Sequence, residues 1–277
     1  MKIFSSRKLS PQATLSGLLV AIFLLIMGST PGLATTYTWN TTAGDWYTGS
    51  NWSPVGPPGN GSDVIIDNNP SNTSVVNVNG GPTINTLTVD AGDTVNINAA
   101  SNAVRSIDIG SGATITNNGA INLTTSGSNT ARIYGSFTNG LLLTGSGTIT
   151  LGTPNSIIGF SSGLVTLTND TNHTIQGGGN IGGVGMYSFV NNGTVFANNN
   201  KNMLIKMSTY SSSYPGFNNQ GTLRVDPGST LEIQGQGKFS NYSSTALTGG
   251  SYEVRGFSYS AGKMTFPRDA GHYPQCL

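Results

Sequence analysis

Charge is scarce in this 277-residue chain, in which 8% of residues are Asp, Glu, Lys or Arg, against roughly 25% in ordinary globular proteins. Acidic residues are missing altogether from the first 44 positions, which hold Lys2, Arg7 and Lys8. The remainder carries nine basic and eleven acidic side chains, so it has no basic footprint for nucleic acid or anionic lipid. Cysteine is almost absent. Cys276 alone excludes a disulfide framework, a Cys-based metal site and a lipid-attachment cysteine near the N-terminus. Long apolar runs are also lacking, apart from residues 15–27, which fall short of the ~20 residues that span a bilayer.

What is present points to strands. Gly accounts for 39 residues and Asn for 30, and turn formers spread this evenly leave no room for long helices. Hydrophobic residues still make up 36%, too many for a disordered chain. The basic start, the apolar run and Gly32-Leu33-Ala34 read as a signal peptide over residues 1–34, cleaved after Ala34 on the general secretory route. The expected localisation is therefore secreted, extracellular or cell surface, with membrane contact only through the signal peptide before cleavage.

A motif returns along the chain: Ile115-Thr116-Asn117-Asn118-Gly119, Phe137-Thr138-Asn139-Gly140, Phe189-Val190-Asn191-Asn192-Gly193, Phe217-Asn218-Asn219-Gln220-Gly221 and Phe239-Ser240-Asn241. Its copies lie 22 or 28 residues apart where they follow directly, the range of solenoid coils. Between them run strands such as Thr148-Ile149-Thr150-Leu151 and Thr230-Leu231-Glu232-Ile233, apolar at every second position. The expected fold is all-β, a right-handed parallel β-helix of ten or eleven coils. Asn at the recurring turn is expected to accept a left-handed backbone and to bond its counterpart one coil away.

All three tryptophans, Trp39, Trp46 and Trp52, fall within fourteen residues, followed by Pro54, Pro57 and Pro58. The stretch Tyr37-Thr38-Trp39, Gly44-Asp45-Trp46, Ser50-Asn51-Trp52-Ser53, Pro57-Pro58-Gly59 and Asp63-Val64-Ile65-Ile66 resembles the N-terminal region of bacterial secreted β-solenoid proteins. These are of the autotransporter-passenger and filamentous-haemagglutinin-like type. The run from His173 to Gly183, with Phe189 to Val195 and Phe217 to Val225, is similar to the coil repeat of the same proteins. The resemblance implies an extracellular, adhesive or matrix role and carries over no catalytic residue. The expected organisation is a signal peptide over 1–34, a Trp/Pro-rich N-terminal cap segment over 35–70, β-helix repeats over 71–254 and an atypical tail over 255–277. That tail is either a native cap or a truncated end.

Candidate chemistry is thin. Asp63 and Asp67 lie on one face of a strand but some 13 Å apart if extended, which suits capping better than paired acid and base work. Asp90 and Asp93 offer too few oxygens for calcium, and the Gly177-Gly178-Gly179-Asn180 run reads as a flexible corner. His173 reads as a solvated turn residue, and Arg105, Asp108 and Arg132 as ordinary surface positions. No catalytic, cofactor or metal residue is assigned, and the chain is not expected to be an enzyme. Trp46 and Trp52, with Tyr47 beside them, or Tyr210 and Tyr214 near Phe217, are the candidate glycan contacts, since flat rings among Asn, Ser and Thr suit sugar faces. Capping the open end of the solenoid is the competing role for the tryptophans. The expected function is a secreted, non-catalytic structural or adhesive module with glycans or other surface or matrix proteins as partners. The alternative is a carbohydrate-binding protein, and a polysaccharide lyase or hydrolase is less favoured.

Overall fold

The structure, a computed structural model, describes residues 34–67, 72–100, 103–135, 140–160, 165–183, 185–208, 215–235, 239–243, 246–256 and 261–266, without the side chains of 111–113 and 243. The expected signal peptide, Ala34 excepted, thus lies outside the described residues, as do Tyr210, Tyr214 and Phe137 to Asn139 of the motif. The described strands belong to one compact unit, Thr35–Leu277. It is a parallel β-solenoid of about seven turns.

Each turn contributes strands to three faces. The first face carries Asp63–Ile66, Leu141–Thr144, Val165–Asn169, Met186–Asn191 and Gly216–Asn219, and the second carries Thr94–Ala99, Ala120–Thr125, Thr148–Leu151, Thr174–Gly177, Thr194–Ala197 and Thr222–Val225. The third carries Thr130–Gly135, Ser156–Phe160, Asn180–Gly182, Asn202–Lys206 and Thr230–Gln234. Thr83–Val89 and Val104–Asn117 run through the corner that joins the third face to the first, so these two faces form one continuous sheet.

Alternation decides which side chains enter. On the second face Val76, Val95, Ile121, Ile149, Ile175, Val195 and Leu223 lie in register one coil above another, and all are buried. On the third face the column is Ile107, Ile133, Ile158, Ile181, Ile205 and Ile233. β-Branched side chains fit here because each holds one stiff rotamer against an identical neighbour. Each contributes about 1.5–3 kcal/mol on burial, before the entropy of ordering the chain is set against it.

The turns are fewer than the expected ten or eleven, and most coils are longer than the 22-residue spacing. Val75, Thr94, Ala120, Thr148, Thr174, Thr194, Thr222 and Ser251 stack in register, so successive coils take 19, 26, 28, 26, 20, 28 and 29 residues. Strands stay short and the corners absorb the difference. The stack also runs past residue 254: Lys263–Thr265 pairs with Thr230–Glu232, and Met264 is buried.

At the first coil, Trp52–Ser53 runs antiparallel to Thr36–Trp39 and occupies its outer edge. An edge filled this way offers no template for further pairing. At the last described coil the interior column Phe189, Phe217 and Phe239 ends against Phe266, with ring centroids 5.0 Å, 5.7 Å and 5.0 Å apart in turn.

Candidate functional site

The tryptophans point inward. Trp39 and Trp46 each meet Trp52 edge to face at 4.9 Å, Trp52 Nε1 donates to the Trp46 carbonyl at 2.7 Å, and all three are fully buried. Trp46 and Trp52 therefore have no ring face on which a sugar could stack. Phe217 is likewise interior.

Tyr47 turns the other way and is 45% exposed. The turn that follows Ala43–Asp45, closed by the Thr48 N–H on the Asp45 carbonyl at 3.1 Å, sends it outward where Trp46 goes in. Its hydroxyl accepts the Gly81 N–H at 3.1 Å, and its ring lies over Gly80, where a Cβ would overlap it. Glycine is needed there for the close approach of the ring. The segment 80–82 belongs to the third face, for Ser106 and Asp108 donate their N–H groups to the Gly80 and Pro82 carbonyls at 3.0 and 2.9 Å.

Above it the register sets Arg132 opposite Ser106 and Tyr134 opposite Asp108, and one coil further Ile157 and Gly159. Since Ile107 and Ile133 enter the core, Ser106, Asp108, Arg132 and Tyr134 lie on the outer side. The Arg132 guanidinium sits 4.1 Å from the Tyr134 ring centroid, a cation–π contact. Burial pushes the Asp108 carboxyl up from its ordinary value, while Arg132 and a bond to Ser106 pull it down. Among the described residues neither Asp108 Oδ1 nor Arg132 Nε meets a hydrogen-bond partner. Asp108 and Arg132 are not ordinary solvated positions: with Tyr47 seated on segment 80–82, register gathers Tyr47, Ser106, Asp108, Arg132 and Tyr134 into one strip. Chain separations as large as the 34 residues between Tyr47 and Gly81 hid it, and only coil register could have revealed it.

The recurring Asn forms a buried ladder. Asn169 Nδ2 donates to Asn191 Oδ1 at 2.8 Å, Asn191 Nδ2 to Asn219 Oδ1 at 2.7 Å, and Asn241 Nδ2 to the Asn219 carbonyl at 2.7 Å. The ladder asparagines are not in the left-handed region expected of them; Asn172, Asn199 and Asn200 are. Gly193 and Gly221, which follow Asn191 and Asn219, are there for space: a Cβ at Gly193 would run into the His173 and Asp170 carbonyl oxygens, and one at Gly221 into that of Gly193. In the coil of Leu141–Thr144 the rung is missing, with Leu143 opposite Asn169.

His173 bridges that gap. It is fully buried, contrary to the solvated turn expected, because its ring reaches from Asn169 Oδ1 at 2.7 Å to Asn117 Nδ2 at 3.3 Å, two coils away. Since Asn169 Oδ1 only accepts and Asn117 Nδ2 only donates, Nδ1 carries the proton and Nε2 is bare. Burial lowers the pKa to about 4, with Asp170 opposing.

Asp63 and Asp93 bond to neighbouring coils. Asp63 Oδ1 accepts from Asn85 Nδ2 at 2.8 Å and Thr86 Oγ1 at 2.6 Å, and Asp93 Oδ1 from the Ser74 N–H at 2.6 Å. Burial first, then Asp67, raises Asp90; burial likewise raises Asp93. Among the described residues no three His, Cys, Asp or Glu side chains are placed to hold a metal. The Gly177–Gly179 corner is tightly packed, with a Cβ at Gly179 falling 2.6 Å from the Ser156 carbonyl oxygen. No family model matches the chain, and neither a curated protein nor a solved structure matches it.

Proposed function

We propose that the chain is a secreted, non-catalytic adhesive and structural module that works at the cell surface or in the extracellular matrix. One observation carries this reading: the outward rank Thr148, Thr174, Thr194, Thr222 and Ser251 on the second face, hydroxyl above hydroxyl in register. Beside it Asn122 Nδ2 donates to Asn96 Oδ1 at 3.1 Å and Asn96 Nδ2 to Asn77 Oδ1 at 3.3 Å. Such a surface is neutral, stiff and repeats every ~4.8 Å. It holds a hydrated polar surface by many weak hydrogen bonds acting together. Little of that attraction is ionic, so salt screens little of it.

The test is adsorption of the purified full chain to intact cells and to deposited extracellular matrix at low and high salt, with reducing ends assayed in the supernatant. Retention at both salt concentrations without sugar release is expected. Failure to adsorb, or steady release of sugar, overturns the reading.

A further inference from the structure

We propose that the strip on the third face, Tyr47 with Ser106, Asp108, Arg132 and Tyr134, is a binding site for a neutral, extended β-linked glycan. The inference rests on the adhesive reading above and supplies that reading with a ligand.

Three features carry it. First, the strip is built from the groups that recognise sugars: an exposed ring, a second ring, a guanidinium and a carboxylate. Tyr47 keeps 45% of its surface exposed although its hydroxyl is tethered to the Gly81 N–H at 3.1 Å. A ring held in place and still open loses little entropy when an apolar sugar face covers it. Arg132 is similarly pre-set, its guanidinium resting 4.1 Å from the Tyr134 centroid. A planar fork suits the adjacent hydroxyls of a pyranose, to which it donates, and Asp108 accepts from hydroxyls that donate.

Second, polarity there is unmet. Asp108 Oδ1 and Arg132 Nε, on neighbouring coils, have no hydrogen-bond partner among the described residues. A buried polar atom left unpaired is costly, and these two lie directly beneath the strip, closed off from solvent.

Third, the spacing fits a chain. Tyr47 rests on segment 80–82, Ser106 and Asp108 lie one coil on, and Arg132 and Tyr134 one further. The line runs along the solenoid axis in steps of ~4.8 Å. An extended β-linked pyranose chain advances about one such step per sugar, so one sugar can lie on the Tyr47 ring and another, two steps on, against the Arg132–Tyr134 pair. Arg132 and Asp108 carry opposite charge side by side, which leaves the strip neutral and works against an acidic chain, whose carboxylates Asp108 would repel.

Isothermal titration of the full chain with cellohexaose tests this, with hexagalacturonate as the acidic probe. Variants Tyr47→Ala, Tyr47→Phe and Arg132→Gln are compared, each checked by circular dichroism for the wild-type β spectrum. Expected are measurable binding of cellohexaose, affinity about tenfold weaker in Tyr47→Ala and Arg132→Gln, and affinity within twofold of wild type in Tyr47→Phe. The assignment is overturned by no cellohexaose binding at millimolar concentration, by equal affinity in Tyr47→Ala, or by preference for hexagalacturonate. A wild-type chain that adsorbs to cells and matrix but ignores cellohexaose removes this inference alone, whereas a chain that fails to adsorb removes the adhesive reading.

Discussion

Trp46 and Tyr47 are consecutive residues with opposite fates. Trp46 belongs to a cluster of three fully buried rings, while Tyr47 is 45% exposed and begins a strip of polar and aromatic side chains on the outer surface. The larger rings fill the interior of the first coil, and the smaller one stays open at the surface with its hydroxyl tied to the Gly81 N–H. Facing, set by the turn after Ala43–Asp45, separates the two rings where residue type does not.

The sharpest way to break this comparison is to cut into the buried cluster. Trp52→Ala removes the ring that touches both other tryptophans and the bond to the Trp46 carbonyl. It is expected to cost about 3–5 kcal/mol in urea unfolding. A loss below 1 kcal/mol would show that the first coil does not depend on the cluster.

Acid comes next, because buried His173 responds to pH. Its folded pKa of about 4 lies below the ordinary 6.5, so the unfolded chain binds the extra proton first. Its contribution is complete above pH 6.5 and is lost as pH falls toward 4, a change of about 3 kcal/mol. The raised carboxylates Asp90, Asp93 and Asp108 act in the opposite sense, favouring the fold as they take up protons. The difference in unfolding free energy between wild type and His173→Gln across pH 4 to 7 isolates the histidine, and a flat difference contradicts its burial.

A smaller effect is expected from Asn191→Ala. It removes the middle rung and leaves Asn169 and Asn219 each short of a partner, at about 1–3 kcal/mol. Asn118→Ala, in the same motif but half-buried and off the ladder, is expected to cost under about 1 kcal/mol. Equal losses in the two variants would erase the distinction between ladder and turn.

The solenoid was legible because every inward position obeys one rule, as the Ile107 to Ile233 column shows. The coil count was not, since corner length leaves no mark on strand alternation. Asn169 escaped the motif because Asp170 follows it in place of Asn or Gly. His173 looked solvated because its two partners are 4 and 56 residues away in sequence. Asp108 and Arg132 looked isolated for the same reason: register alone makes them neighbours. The tryptophans drew notice by size, and size is also what a closed end requires.

The most direct test of the division between buried and outward rings is Tyr47→Ala, measured for unfolding midpoint and for cellohexaose affinity on the same preparation. The midpoint is expected to stay within about 0.5 kcal/mol of wild type while affinity falls about tenfold. A midpoint that drops as in Trp52→Ala, or an affinity that does not change, would contradict it.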